Sequence, residues 1–129
     1  MQGAAYPDPR SSVSVLVVED NFLIAMDVEA MLEQNGYRVI GPATYVSAAL
    51  RLLDTLTPDV AVLDVNLRGQ SVTPVAERLR ETSVPFVLAS AYAFQDIDGS
   101  DALKGAVNIG KPITEKRLLE ALQAAIAAE

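Results

Sequence analysis

Residues 13–34 read VSVLVVEDNFLIAMDVEAMLEQ, and this stretch decides the fold. Its first part, residues 13–18, is mainly apolar and β-branched, which is typical of a strand that is buried on both faces. The segment Phe22–Gln34 then predicts an amphipathic helix, because its apolar residues recur at helical spacing. These apolar residues are Ile24, Val28, Met31 and Leu32. A buried strand that leads through the acidic pair Glu19-Asp20 into a helix indicates an α/β fold.

The same alternation of short apolar runs and amphipathic stretches continues to the end of the chain. Further strands are predicted at 37–40, Val60–Leu63, 85–89 and 106–109. Further helices are predicted at 47–56, 72–81 and 96–104, with a last helix that has Thr114 as its N-cap. We expect Gly41-Pro42 to close the second strand and residues 68–71 to form a loop. Five strands that alternate with five helices predict a doubly wound parallel sheet with helices on both faces.

Composition limits the functions that are open to the chain. Its 129 residues, half of them apolar, predict one domain over 13–129 after a flexible arm over 1–12. The lack of cysteine excludes a disulfide framework and a thiolate zinc site, and the lack of histidine excludes a Ser-His-Asp triad and a phosphohistidine in cis. The net charge of -7 argues against binding to nucleic acid or to an anionic membrane. Because no segment is typical of a signal peptide or a membrane helix, we expect a cytoplasmic protein.

Polar side chains follow four of the five predicted strands. The first strand runs into Glu19-Asp20, the third into Asp64, the fourth into Ser90, and the fifth, past Gly110, into Lys111. Ligands of doubly wound sheets bind beyond the carboxyl ends of the strands, so these side chains are expected at one rim.

The chemistry of this rim points to a phosphoryl group and a hard metal ion. Glu19, Asp20 and Asp64 would repel one another without a cation, and Mg²⁺ suits a small carboxylate cluster that also meets phosphate. A carboxylate can itself be a nucleophile and form an acyl phosphate. Lys111 supplies a point charge for a phosphoryl oxygen, and Ser90 supplies a hydroxyl that can hydrogen-bond another.

Four short motifs together resemble a known family, the receiver domains of two-component response regulators. They are VLVVEDN at 15–21, VLDVNLRG at 62–69, the hydroxyl that follows VLA at 87–89, and GKPI at 110–113. Each motif is weak alone, but their order and spacing are specific, and the resemblance covers about 13–129. It implies the flavodoxin-like fold that is also called CheY-like, with strand order 2-1-3-4-5.

The resemblance also implies roles for the residues at the rim. Asp64 matches the phosphoacceptor, and Lys111 matches the lysine that contacts the phosphate. Glu19 and Asp20 match the acidic pair that holds Mg²⁺, with Asp20 as the direct ligand. Asp64 and the backbone carbonyl of Asn66 match the remaining protein ligands of the metal.

Ser90 matches the switch hydroxyl of the family, but the usual switch aromatic is missing. That aromatic lies three residues before the lysine, where this chain has Asn108. Tyr92 instead follows the fourth strand in PFVLASAY, as in the FAT-GUY subgroup of stand-alone receivers, and it is expected to act as a switch residue. Ser90-Ala91 replaces the Thr-Gly of that subgroup. Pro112 matches a position that commonly follows a cis peptide bond.

These matches imply a single-domain response regulator, a signalling module that catalyses only its own phosphorylation and dephosphorylation. The phosphoryl donor would be a phosphohistidine on a sensor histidine kinase or on a histidine phosphotransfer protein. The output would be phosphorylation-dependent binding of a downstream protein partner, or onward transfer of the phosphoryl group in a phosphorelay. Phosphorylation would bias the surface around the fourth helix, the fifth strand and the fifth helix. No nucleic acid and no membrane is expected as a partner.

Several other interpretations of the sequence remain open. Asn108 is compatible with a pseudo-receiver that acts as a constitutive interaction module, and the chain could be the excised receiver of a hybrid histidine kinase. A phosphatase with an Asp nucleophile fits less well, because the chain reads Asp64-Val65-Asn66 and lacks the usual DxD pair. Glu19-Asp20 could also be an N-terminal cap for the first helix, a role that is compatible with a place in the site.

Overall fold

The computed structural model describes residues 13–90 and 101–128. The predicted arm, residues 1–12, and Tyr92 therefore lie outside the described residues. The strands and helices are β1 Ser14–Val18, α1 Phe22–Gln34, β2 Arg38–Ala43, α2 Val46–Leu53, β3 Val60–Leu63, β4 Asn66–Leu67, β5 Gln70–Ser71, α3 Thr73–Glu81, β6 Phe86–Leu88 and α4 Glu115–Ala127, with a one-turn 3₁₀ helix at Asp101–Leu103.

A parallel sheet with the order β2-β1-β3-β6 forms the centre of the fold, and an isolated parallel bridge between Leu88 and Asn108 extends it at the β6 edge. This order confirms the doubly wound, flavodoxin-like sheet. The predicted fifth strand at 106–109 is present only as that bridge. The cause is local: the Leu88 N–H donates to Val107 O, and the next donor of such a ladder, the Ser90 N–H, is bonded to the Asn108 side chain instead.

Helices cover the sheet on both faces, as predicted. Alternate residues of β1 point to opposite sides, since Leu16 and Val18 belong to the core under α2 and α3, whereas Val15 and Val17 belong to the core under α1 and α4. The side chains of β1, β3 and β6 are almost completely buried, which explains why the sequences of these strands read as continuous apolar runs. Among the described residues, no helix is long and apolar enough to cross a membrane.

Of the two N-caps considered from the sequence, the structure confirms that of the last helix and corrects that of the first. Thr114 caps α4, since its Oγ1 accepts a hydrogen bond from the Arg117 N–H at 3.3 Å. The cap of α1 is Asn21, whose Oδ1 accepts from the Ile24 N–H at 3.1 Å. The interpretation of Glu19-Asp20 as the cap is therefore wrong, and both carboxylates are left for the rim of the sheet.

Two predicted connections prove to be strands. β2 continues through Gly41-Pro42 to Ala43, and the pairing with β1 shifts register between Leu16 and Val18 to accommodate it. Residues 68–71 are not a simple loop, because β4 and β5 form an antiparallel hairpin there. Its two turn residues, Arg68 and Gly69, have φ values of 52° and 85°, as the tightest hairpin turns require.

The predicted helix at 96–104 is described only in its last part, where Asp101–Leu103 forms the 3₁₀ turn. Arg80 of α3 holds this turn in place, since its guanidinium donates to Ala102 O at 2.8 Å and to Lys104 O at 2.7 Å. The helix predicted at 47–56 ends at Leu53.

Candidate functional site

Three carboxylates converge where β1 and β3 end. The two strands pair in parallel, with Val18 opposite Leu63, so the residues that follow them lie side by side. One carboxylate oxygen each from Glu19, Asp20 and Asp64 lies within 4.8 Å of the others. Glu19 and Asp64 are only 3% and 7% exposed, so the cluster lies at the floor of the site rather than on an open surface.

Lys111 reaches the same floor from the loop that follows Asn108. Its Nζ lies 2.9 Å from Oε1 of Glu19 and 3.3 Å from Oδ2 of Asp64. The Lys111–Pro112 peptide bond is cis, as the resemblance implies. One ammonium against three carboxylates leaves an excess of negative charge, which a bound cation could offset.

Backbone donors fix the orientation of the acidic pair. The second oxygen of Glu19, Oε2, accepts from the Asn21 N–H at 3.0 Å. The Arg68 N–H, at the tip of the β4–β5 hairpin, donates to Oδ2 of Asp20 at 3.0 Å. The carboxylates are therefore held in place before any ligand arrives, and the hairpin that the sequence did not predict supplies one of the donors.

The protonation states of the site differ sharply between neighbours. Burial, reinforced by the negative charge of Glu19, raises the pKa of Asp64 to about 7. Burial also works to raise the pKa of Asp20, but the hydrogen bond from the Arg68 N–H, the contacts with Asp64 and Glu19 and the charge of Lys111 together outweigh it, and that pKa lies below its ordinary value. Burial works to lower the pKa of Lys111, but its hydrogen bond to Glu19 and the charge of Asp64 hold it above its ordinary value. The site thus holds an ammonium and the Asp20 carboxylate beside one carboxyl, that of Asp64, that titrates near neutrality.

Ser90 and Asn108 complete the rim on the β6 side. Ser90 follows the end of β6 and is 2% exposed. Its N–H donates to Oδ1 of Asn108 at 3.0 Å, and the Gly110 N–H donates to the same oxygen at 2.9 Å. Sequence reasoning treated Asn108 only as a missing aromatic, although its short amide side chain, two residues before a glycine, is typical of a turn.

A cleft of about 560 Å³ opens above these groups. Its lining residues are Asp20, Asp64, Asn66, Arg68, Gly69, Ser90 and Lys111. The structure therefore brings together the predicted site residues that it describes, with Glu19 beneath the cleft. Arg68 and Gly69 were missed, because two-residue strands leave no apolar alternation from which a hairpin could be read.

The donor set fits a hard divalent cation. Carboxylate oxygens converge from two strand ends, and the described cluster contains only oxygen ligands. Oxygen ligands of this kind are those that Mg²⁺ and Ca²⁺ take in proteins, and Mg²⁺ is usually bound by one or two carboxylates together with phosphate.

Comparison with known proteins assigns the family. The pattern of the response regulator receiver domain matches residues 15–123. The chain belongs to this family. Receiver domains are signalling modules of two-component systems, and they bind Mg²⁺ at an acidic site.

Individual relatives agree with this assignment. The chain is 29% identical to the transcriptional regulatory protein PdtaR of Mycobacterium tuberculosis, over 87% of this chain and 56% of that protein. The solution structure of SdrG from Sphingomonas melonis Fr1 is 34% identical, with a TM-score of 0.77, and the match covers 90% of this chain and 98% of that one. The chain spans about half the length of the first curated relatives that it matches.

A further solved structure contains a metal ion. The receiver domain of sensor histidine kinase PA1611 from Pseudomonas aeruginosa PAO1 is 26% identical, with a TM-score of 0.78, over 89% of this chain and 98% of that one. In that structure a magnesium ion is coordinated in the active site cleft.

Proposed function

We propose that this receiver domain is a single-domain response regulator that accepts a phosphoryl group on Asp64 from a phosphohistidine of a partner protein, with Mg²⁺ bound. The observation that carries the proposal is the position of Asp64: its carboxylate lines the cleft together with Ser90 and Lys111, within 4.8 Å of the acidic pair and 3.3 Å from Lys111 Nζ. We include in the proposal the division of the chain into an arm at 1–12 and a receiver domain at 13–129, and a cytoplasmic location.

The transfer step follows from the groups at the cleft. An oxygen of the Asp64 carboxylate attacks phosphorus, and the bond between phosphorus and the donor imidazole nitrogen breaks. The electron pair of that bond stays on the imidazole, and the product is an acyl phosphate. The Lys111 ammonium, 3.3 Å from Asp64 Oδ2, would neutralise a phosphoryl oxygen, and the Ser90 hydroxyl would donate a hydrogen bond to another.

The acidic side of the cleft would hold the metal. The carboxylates of Asp20 and Asp64 and the backbone carbonyl of Asn66 would be its protein ligands, with Glu19 beside them. Mg²⁺ would offset the negative charge of the carboxylates and of the phosphoryl oxygens. Because Glu19 and Asp20 are already held by the N–H groups of Asn21 and Arg68, the ligands need little rearrangement to bind it.

An apolar patch beside the cleft supports a protein as the donor. Phe22 and Leu23 are 69% and 71% exposed, and Met26, one turn further along α1, is 48% exposed. The patch begins two residues after Asp20, so a helix that presents a phosphohistidine to Asp64 would cover it. Large exposed apolar side chains that cluster in this way are typical of protein interfaces. We propose a histidine kinase or a histidine phosphotransfer protein as this partner.

The output is proposed to be protein binding or onward phosphoryl transfer. The part of the predicted signalling surface that the structure describes is the 3₁₀ turn Asp101–Leu103, the Asn108 bridge and α4. Tyr92 remains a predicted switch residue. Two alternatives remain, a pseudo-receiver and the receiver of a hybrid kinase. The convergence of Glu19, Asp64 and Lys111 in one buried cluster argues against the first.

The test is covalent labelling with a small acyl phosphate donor and Mg²⁺, read by intact-protein mass spectrometry. The wild-type chain should gain the mass of one phosphoryl group, and Asp64→Asn should gain none. Asp27→Asn, at an exposed position of α1, is the matched control and should be labelled like wild type. Labelling of Asp64→Asn at the wild-type level would rule out the assignment, and an unlabelled wild type would favour the pseudo-receiver.

A further inference from the structure

Asn108 connects two loops that carry groups of the cleft. Its side-chain Oδ1 accepts from the Ser90 N–H at 3.0 Å and from the Gly110 N–H at 2.9 Å. Ser90 lies two residues after the end of β6, and Gly110 directly precedes Lys111. One oxygen atom therefore joins the backbone of the hydroxyl loop to the backbone of the lysine loop.

The side chain takes the place of a backbone ladder at this point. Asn108 and Leu88 form the last bridge of the sheet, with the Leu88 N–H donating to Val107 O and the Ile109 N–H to Leu88 O, each at 2.8 Å. Continuation of this parallel ladder would bring the Ser90 N–H to a backbone carbonyl. Asn108 Oδ1 accepts that N–H instead. The segment that follows β6 and the segment that follows Asn108 can therefore diverge around the cleft and still be joined by a hydrogen bond.

An amide oxygen suits this task for two reasons. It has two lone pairs and can accept both N–H groups at once, which an apolar or aromatic ring at this position could not do. Both hydrogen bonds are partly buried. Removing the oxygen would leave the two N–H groups without this acceptor and would cost free energy.

We infer that Asn108 is a positioning residue for phosphoryl transfer, and that its amide oxygen sets the distance between the Ser90 hydroxyl and the Lys111 ammonium across Asp64. The inference rests on the proposed function. Ser90 and Lys111 both line the cleft, and Lys111 Nζ lies 3.3 Å from Asp64 Oδ2. Both groups would have to contact oxygens of one phosphoryl group, so their separation matters directly for the rate.

Asn108 acts on the proposed metal site only indirectly, through Lys111, whose Nζ contacts Glu19 and Asp64, so it should affect transfer more than metal binding. The carboxylates that would hold the metal are placed by β1, β3 and the β4–β5 hairpin, whereas Asn108 acts on the loops that follow β6 and precede Lys111. Loss of the Asn108 oxygen should therefore lower the rate of labelling and leave the affinity for Mg²⁺ nearly unchanged.

The experiment compares Asn108→Leu, which has a similar size but no acceptor, with Asn108→Asp, which keeps an acceptor for both N–H groups. At saturating acyl phosphate and Mg²⁺, we expect labelling of N108L to be slower by about 10-fold, since misplacement of positioning groups is costly. The labelling rate of N108D should stay within about threefold of the wild-type rate. Mg²⁺ affinity, measured by calorimetry without donor, should change by less than about threefold in N108L. Gln34→Leu, at an exposed position in the last turn of α1, is the matched control and should behave like wild type.

Hydrogen exchange of the Ser90 and Gly110 amides reports directly on their two hydrogen bonds to Asn108 Oδ1. Both amides should be protected in wild type and N108D and should exchange faster in N108L. The inference would be overturned if N108L were labelled at the wild-type rate although its two amides had lost their protection. It would also be overturned if N108D were labelled slowly although its two amides remained protected. If N108L does not fold, Asn108→Ser, with a shorter acceptor, replaces it under the same criteria. An unlabelled wild type with protected amides would instead refute the proposed function.

Discussion

Asp64→Asn should make the metal-free protein more stable above neutral pH, although it removes the proposed phosphoacceptor. The ordinary pKa of an Asp carboxyl is 3.8, and burial together with the charge of Glu19 raises the pKa of Asp64 to about 7. The folded chain therefore binds this proton more tightly than the unfolded chain does. The contribution of Asp64 to stability is greatest below about pH 4 and is lost as pH rises through about 7, because the folded state must then hold an unfavourable carboxylate.

The gap between 3.8 and about 7 sets the size of the effect. Each pKa unit corresponds to about 1.4 kcal/mol, so ionised Asp64 costs the folded state up to about 4 kcal/mol relative to its neutral form. Asparagine resembles the neutral acid and escapes this cost. Asp64→Asn should therefore gain up to about 4 kcal/mol near pH 8 and almost nothing near pH 4.

Urea denaturation at a series of pH values, with a chelator present, measures the gain. The midpoint for Asp64→Asn should exceed that of wild type near pH 8, and the two curves should approach each other as pH falls. Mg²⁺ should stabilise wild type more than the variant, since it binds the folded carboxylate cluster. A variant that is less stable than wild type near pH 8, or a gain that is the same at all pH values, would refute this reasoning.

Three further changes test other parts of the account. Lys111→Met should slow labelling by a small phosphodonor by about 100-fold in a stopped-flow assay, because it removes the ammonium beside Asp64, and an unchanged rate would contradict its proposed role. Leu23→Ser should slow transfer from a phosphorylated histidine kinase and leave labelling by a small donor unchanged, and equal effects on both would argue against the α1 patch as a docking site. Gly41→Ala should lower the free energy of unfolding, measured in urea, by more than about 1 kcal/mol, because φ is +95° and a Cβ would lie 2.7 Å from the Ala43 nitrogen. An unchanged free energy of unfolding would contradict this close approach within β2.

The sheet and the acidic cluster could be predicted because their signals are local and chemical. β1 and β3 are runs of apolar residues that end in acids, and parallel pairing of the two strands makes those acids neighbours. Lys111 could be placed at the same rim because it follows the edge segment at the corresponding end. Burial on both faces leaves such strands little choice of sequence, so their pattern is easily read.

The sequence was less informative where single side chains replace backbone pairing. The β4–β5 hairpin depends on positive φ at Arg68 and Gly69 and on a bond from the Gly69 N–H to Asn66 Oδ1, and its strands are too short for a periodic pattern. The fifth strand was predicted from the apolar character of 106–109, but Asn108 Oδ1 takes the N–H that would extend its ladder. Such contacts depend on the fold being formed already.

The position of the phosphoryl group tests the central claim most directly. Wild type is treated with a small acyl phosphate and Mg²⁺, reduced with borohydride, digested and sequenced by tandem mass spectrometry. Reduction of an aspartyl phosphate leaves homoserine, and we expect homoserine at position 64 with Mg²⁺ and almost none with a chelator. Label at another residue, or equal labelling of Asp64 without the metal, would contradict the account.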